Sequence, residues 1–110
     1  MTSCIDGNYF DVTGQTATYT SRKVAIKGAP YSIGCVITGS TFNVDVKLQT
    51  SLDGINWGDV LDGAGATAEV LGLTTEPETV QFDVSVGKHR FSRIVITHNS
   101  GTFAAKGYLR

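Results

Sequence analysis

Apolar and polar side chains alternate along several short stretches of the chain, a pattern typical of antiparallel strands that bury one face. Three stretches show it most regularly: residues 31–38, 44–51 and 79–85. In the second of these, Val44, Val46 and Leu48 share one face, and the side chains between them are charged or carry an amide. The three strands have the following expected inward-facing side chains: Tyr31, Ile33, Cys35, Ile37, Val44, Val46, Leu48, Val80, Phe82 and Val84.

Four other segments predict less regular strands: residues 17–27, 69–73, 91–98 and 102–109. Ile94, Val95 and Ile96 follow one another directly, so their strand is either buried on both faces or interrupted by a bulge. The inward-facing set of the last segment is Phe103, Ala105 and Leu109. No segment keeps helical spacing over more than two turns. The pattern therefore predicts an all-β fold, an antiparallel two-sheet β-sandwich of about eight strands resembling a jelly roll.

The length and composition of the chain fit one domain. A chain of 110 residues is too short for two ordinary domains, and its 13 glycines favour short strands joined by tight turns. We expect residues 17–110 to form a single β-sandwich domain. Residues 1–16 are expected to form either an N-terminal arm that becomes ordered on docking or an ordinary edge strand.

The charge balance and the hydropathy of the chain restrict its partners and its location. The net charge is −1, whereas a nucleic-acid-binding domain usually carries a clear positive excess. No apolar run reaches the roughly 18 residues of a membrane span, and the first residues lack the basic and apolar parts of a signal peptide. We therefore expect no nucleic-acid or membrane partner, and synthesis in a cytoplasm without secretion by a signal peptide.

The reactive side chains do not form a recognisable catalytic motif. His89 and His98 lack neighbours that would orient an imidazole, and the sequence contains no nucleophile elbow, phosphate-binding loop or dinucleotide fingerprint. Cys4 and Cys35 are expected to be free thiols rather than a disulfide, because the cytoplasm is reducing. Cys35 then serves as a small core residue. These observations predict a protein that is not an enzyme and needs no cofactor.

Residues 51–59 predict a hairpin, and an alternative function for it is a calcium site. Asp53-Gly54 is a turn pair, and Trp57 is expected to begin the next strand by folding over the core. The structural residues of the hairpin are Ser51, Asp53, Gly54 and Trp57. Calcium prefers several oxygen ligands, and the candidates here are Asp53, Asn56, Asp59 and Asp62. The turn is favoured over the ion site.

Two groups of residues are candidates for contacts with a partner. Apolar side chains in the N-terminal segment would contact a partner if that segment is an arm: Ile5, Tyr9, Phe10 and Val12. Basic side chains on the predicted strands are better explained by a solvated face, or by ion pairs between subunits, than by a nucleic-acid face. The basic candidates are Arg22, Arg90 and Arg93.

Two parts of the sequence resemble a known kind of protein. Residues 51–57 have the form Ser-x-Asp-Gly-x-x-Trp after a strand, and residues 90–103 combine an aromatic-x-Arg strand with a Ser-Gly-Thr turn. Together they resemble small β-sandwich structural proteins of tailed phages over about residues 31–110. The hairpin is also similar, more weakly, to that of discoidin-type jelly rolls.

The phage resemblance implies a virion protein, with capsid decoration (cement) ahead of a neck, tail or fibre position. It implies binding to the major capsid protein or to other virion proteins, and assembly as a homo-oligomer such as a trimer. The discoidin-type similarity implies the alternative, a carbohydrate- or receptor-binding module. Both remain open from the sequence.

Overall fold

Eight β-strands and no helix make up the part of the chain that the structure describes, which is residues 9–26, 30–60, 69–74, 78–84 and 90–109 of a computed structural model. The strands are β1 Phe10–Gln15, β2 Tyr19–Thr20, β3 Val24–Ala25, β4 Tyr31–Ser51, β5 Gly58–Asp59, β6 Glu69–Leu73, β7 Glu78–Val84 and β8 Phe91–Leu109. The all-β prediction is confirmed. No helix in these residues is long and apolar enough to cross a membrane.

Two long strands, β4 and β8, form an antiparallel ribbon that runs through the whole fold. The ladder extends from Ile33 opposite Leu109 to Ser51 opposite Phe91. Register shifts near its middle, between Thr38 and Thr41 and between Asn43 and Val44, bend the ribbon because a bulge kinks a strand and increases its twist. Gly101 lies at this bend with a φ of 80°, a conformation that favours glycine.

All the other described strands pair with the outer edges of this ribbon, so the described strands belong to one curled antiparallel sheet. β1, β2 and β3 pair with β8, whereas β5, β6 and β7 pair with β4. The alternating pattern predicts two separate sheets. The difference arises because residues 31–38 and 44–51 are the two halves of β4, and residues 91–98 and 102–109 lie within β8.

The sheet curls back so that the two ends of the ribbon meet. The Tyr9 amide donates to the carbonyl of Gly107, and the Tyr9 hydroxyl lies 3.5 Å from Ser21 Oγ. Ser21 in turn pairs through its backbone with Ile94, at the other end of β8. A straight strand would separate Ile94 from Gly107 by roughly 40 Å. The contacts of Tyr9 with Gly107 and Ser21 bring these two positions much closer together than that, so β8 folds back on itself.

The concave side of the curled sheet encloses an apolar core. The apolar side chains buried to within 1% exposure are Ile33, Cys35, Ile37, Val44, Val46, Leu48, Ile94, Ile96, Phe103 and Ala105. All of them belong to the inward-facing sets or to the apolar run predicted from the sequence. Val95 is only 8% exposed, and the register is continuous there, so this part of β8 is buried on both faces.

A buried hydrogen bond joins the two halves of the sheet across this core. The Tyr31 hydroxyl, at the start of β4, lies 2.7 Å from Ser92 Oγ, at the start of β8. The two residues lie at opposite ends of the ribbon. Tyr31 comes just before Ile33, which stands opposite Leu109, whereas Ser92 stands opposite Thr50. Burial of the phenol raises the pKa of Tyr31. The bond therefore ties the curl closed.

Candidate interaction surface

The connection between β4 and β5 is a hairpin whose backbone the sequence fixes locally. Gln49 pairs with Asp59, and Thr50 pairs with Gly58. Gly54 has a φ of 78°, a left-handed conformation that glycine adopts at little steric cost. Residues 52–56 form the tip, which lies at the end of the β4–β8 ribbon where the amide of Arg90 donates to the carbonyl of Ser51.

The Asp53 carboxylate holds the tip of the hairpin in one conformation. Its Oδ1 accepts hydrogen bonds from the amides of Ile55 and Asn56, each at 2.8 Å, and its Oδ2 accepts one from Asn56 Nδ2. Ser51 Oγ accepts from the amide of Gly54 at 2.8 Å. These bonds to the ionised form hold the pKa of Asp53 far below its usual value.

The fixed tip presents two large aliphatic side chains to solvent. Leu52 is 69% exposed and Ile55 is 78% exposed, the two highest values among the large apolar residues that the structure describes. Turns usually carry small or polar residues, so two aliphatic side chains on either side of an Asp-Gly pair are unusual. Leu52 and Ile55 are not among the contact residues predicted from the sequence, and their apolar character within a turn is the signal that could have identified them.

Trp57 packs against Arg93 on the outer face of the sheet, whereas the sequence predicts that it folds over the core. The guanidinium carbon of Arg93 lies 4.2 Å from the centre of the Trp57 ring. Arg93 points outward because its neighbours Ser92 and Ile94 both point into the core. One face of the indole is therefore covered by a cation and cannot stack on a sugar ring.

A chain of polar contacts fixes Arg93 in turn. Its Nε donates to Gln49 Oε1 at 2.8 Å, and Gln49 Nε2 donates to Asp59 Oδ1 at 2.8 Å. Lys47 Nζ lies 3.1 Å from the same Asp59 oxygen and forms an ion pair with it. The hydrogen bonds from Gln49 and Lys47 lower the pKa of Asp59. The contacts hold the indole and guanidinium planes in place.

Positively charged side chains surround the hairpin. Lys23 Nζ lies 5.2 Å from the centre of the Phe91 ring and close to Gly54, and Arg90 is exposed at the base of the hairpin. Asp59 is neutralised by Lys47, which leaves Asp53 as the acidic side chain of the tip. We call the following set the hairpin surface: Lys23, Leu52, Ile55, Trp57, Arg90 and Arg93.

The other contact candidates from the sequence lie elsewhere. Tyr9 and Phe10 are 5% and 7% exposed, so they belong to the core of this chain, and Val12 is half-buried against it. Arg22 Nε donates to the carbonyl of Tyr9 at 2.9 Å, away from the two other arginines. Ile5 lies outside the described residues. Residues 10–15 are strand β1, at an edge of the sheet.

The calcium candidates are engaged in other contacts. Both oxygens of Asp53 accept hydrogen bonds from nitrogen donors of the turn, and Asp59 is paired with Lys47. Asp62 lies outside the described residues. Among the residues that the structure describes, no group of three or more His, Cys, Asp or Glu side chains is placed to hold a metal ion.

Cys35 and His98, the cysteine and the histidine that the structure describes, take part in packing and backbone contacts. Cys35 is buried in the core as a free cysteine, and this burial raises the pKa of its thiol to about 12. A thiol with that pKa carries almost no thiolate at neutral pH and is a poor nucleophile. His98 Nε2 lies 2.7 Å from the carbonyl oxygen of Gly101, and its ring stacks on Phe103. His89 and Cys4 lie outside the described residues.

A scan against protein-family models found no family that matches this sequence, and no curated protein matches it.

Proposed function

We propose that this chain is a structural protein of a tailed-phage particle, of the capsid decoration (cement) type, and that it docks on the head shell through the hairpin surface. The phage assignment depends on the resemblance of residues 51–57 and 90–103. The observation that carries docking is the fixed tip that exposes Leu52 and Ile55 beside the Trp57–Arg93 stack.

The hairpin surface has the physical properties of a protein-binding site. Burial of an exposed leucine or isoleucine contributes about 1.5–3 kcal/mol, and Trp and Arg are enriched among the residues that dominate binding energy. Because Asp53 already holds the tip, binding does not have to order a loop, which reduces the entropic cost of association. A rigid apolar tip beside a fixed aromatic is therefore suited to tight docking.

The charge of the hairpin surface specifies the kind of partner. Lys23, Arg90 and Arg93 are positive, and the acidic side chain among them is Asp53. Complementary charge favours a partner surface with an apolar centre and an acidic rim. The same reasoning disfavours contact between two copies of this surface, because the cations would repel. Homo-oligomers such as trimers therefore form through other surfaces in this proposal.

The two halves of the curled sheet act in this proposal as the two layers of a sandwich.

Co-sedimentation with emptied capsids of the matching phage tests this proposal. Wild-type protein is expected to pellet with the shells, and Leu52→Ser/Ile55→Ser is expected to bind at least about tenfold more weakly. Both side chains are exposed, so the double variant should keep its fold. The matched control is Val70→Thr, which alters a partly exposed apolar residue on β6 and should pellet as wild type does.

Two results would overturn the proposal. If the wild-type protein does not pellet with the shells, it is not a decoration protein of that particle. If the double variant pellets as well as the wild type, docking uses a surface other than the hairpin. Circular dichroism of each variant establishes that the comparison is made between folded proteins.

A further inference from the structure

A groove lies on the outer face of the other half of the sheet, where β4 runs between β7 and β8. In the register of the sheet, Tyr108 and Gln81 stand on either side of Gly34. Neighbouring strands are about 4.8 Å apart, so these two residues flank a gap of roughly 10 Å at the level of the backbone. Gly34 places no side chain in this gap, and the groove has a volume of about 280 Å³.

The absence of a side chain at position 34 has a steric cause. A β-carbon on Gly34 would collide with the carbonyl oxygen of Val80 and would approach the Cα atom of Gln81 to 3.0 Å. The close approach of β4 and β7 therefore requires glycine at this position. The groove is consequently part of the folded sheet and does not depend on a mobile side chain.

The walls of the groove are uncharged and of two kinds. The Tyr108 ring, 40% exposed, and Val36 form an apolar side. The polar side chains are Ser32, Thr79 and Gln81. A bound anion would find no cation among these lining residues, and a wholly apolar ligand would leave the polar side unsatisfied. A neutral ligand with one apolar face and several hydroxyl groups satisfies both sides.

Asp83 orients two of the polar side chains. Ser32 Oγ donates to Asp83 Oδ1 at 2.6 Å, and Gln81 Nε2 donates to the same oxygen at 2.7 Å. These bonds lower the pKa of Asp83, so its carboxylate stays ionised and keeps both donors. Because the hydroxyl hydrogen of Ser32 and the amide nitrogen of Gln81 are directed at Asp83, Ser32 Oγ and Gln81 Oε1 offer acceptor lone pairs to a ligand.

We propose that this groove binds one pyranose ring of a neutral carbohydrate. The apolar face of the sugar lies on the Tyr108 ring, and its hydroxyl groups donate to Ser32 and Gln81. The volume is just below the roughly 300–1,000 Å³ of sites for drug-sized ligands, which suits one ring and not a long chain. This site is separate from the hairpin surface and goes beyond docking on a shell, since it gives the particle a contact with a glycan.

Titration followed by NMR tests the proposal. Methyl glycosides of glucose, galactose and mannose, together with N-acetylglucosamine, are added separately to ¹⁵N-labelled protein. At least one sugar is expected to shift amide signals of residues 32–36, 79–81 and 108. Tyr108→Ser should weaken this binding about tenfold, the scale expected for loss of a stacking platform, whereas Tyr108→Phe retains the ring and should retain binding.

Matched variants separate this site from the hairpin surface. Leu52→Ser/Ile55→Ser should bind the sugar as wild type does, and Tyr108→Ser should still pellet with emptied capsids. Gln81→Ala, a change of an exposed side chain, provides a second variant in case Tyr108→Ser does not fold, and it should also weaken sugar binding. The proposal is overturned if none of the sugars shifts these signals, or if the folded groove variants bind as tightly as the wild type.

Discussion

The Phe10 ring lies directly against Gly107, at the position that a β-carbon of residue 107 would take. Phe10 also stands opposite Gly107 in the β1–β8 ladder, so the ring crosses the neighbouring strand and covers it. Tyr9 packs edge-on against this ring, with ring centres 4.9 Å apart. A single missing side chain on β8 thus makes room for the aromatic pair that attaches β1 to the core.

Substitution of Gly107 by alanine should destabilise the protein because the new methyl group overlaps the Phe10 ring. We expect a loss of about 1–3 kcal/mol in the free energy of unfolding, measured by urea denaturation. Gly58→Ala is the control, since a β-carbon there meets no atom within 4 Å. Combining Gly107→Ala with Phe10→Leu should recover part of the loss, and equal losses with and without Phe10→Leu would contradict the overlap.

The alternating pattern identified most core residues but could not assign the outward-facing ones to their contacts. Val44, Val46 and Leu48 are fully buried, as period-two spacing indicates. From its position after the Asp-Gly turn, Trp57 is predicted to fold over the core, but it lies on the outer face. Its actual partner, Arg93, is distant in sequence, and no local pattern specifies a contact of that kind.

At the scale of elements, the hairpin was the most predictable part of the chain, because its turn is determined by neighbouring residues. Asp53 and Gly54 supply the side-chain acceptor and the left-handed φ that the turn requires. The exposure of Leu52 and Ile55 was less predictable. It depends on how the tip lies relative to the folded ribbon, which the neighbouring residues do not determine.

The hairpin makes a pH-dependent contribution to stability through Asp53. Its pKa in the folded protein lies below the ordinary value of 3.8, so the contribution is complete above that pH and is lost as the pH falls below it. Asp53→Asn should therefore lower Tm at neutral pH, and its difference from wild type should shrink at pH values below 3.8. A difference in Tm that does not change with pH would contradict this assignment.

At the scale of the whole molecule, the continuity of the two long strands escaped prediction. Residues 39–43 and 99–101 are rich in Gly, Ser, Thr and Asn, and such stretches usually mark turns between strands. Here they lie inside β4 and β8, at the bend of the ribbon. The same composition serves a turn or a bend, and pairing with a distant strand decides between them. One curled sheet and two sheets therefore give the same local pattern.

The hydrogen bond between Tyr31 and Ser92 should contribute to keeping the curl closed. Tyr31→Phe leaves the fully buried Ser92 hydroxyl without this partner, at a cost of about 1–3 kcal/mol in the free energy of unfolding. Ser92→Ala should cost less in the Tyr31→Phe variant than in the wild type. Urea denaturation of the wild type, the two single variants and the double variant measures this coupling. Tyr108→Phe, at an exposed tyrosine, is the control. Strictly additive losses would show that the bond contributes nothing.

The uninterrupted course of β4 and β8 means that neither half of the molecule is an independent folding unit. Each half takes its central pair of strands from β4 and β8, which continue into the other half, so we expect the two halves to unfold as one cooperative unit.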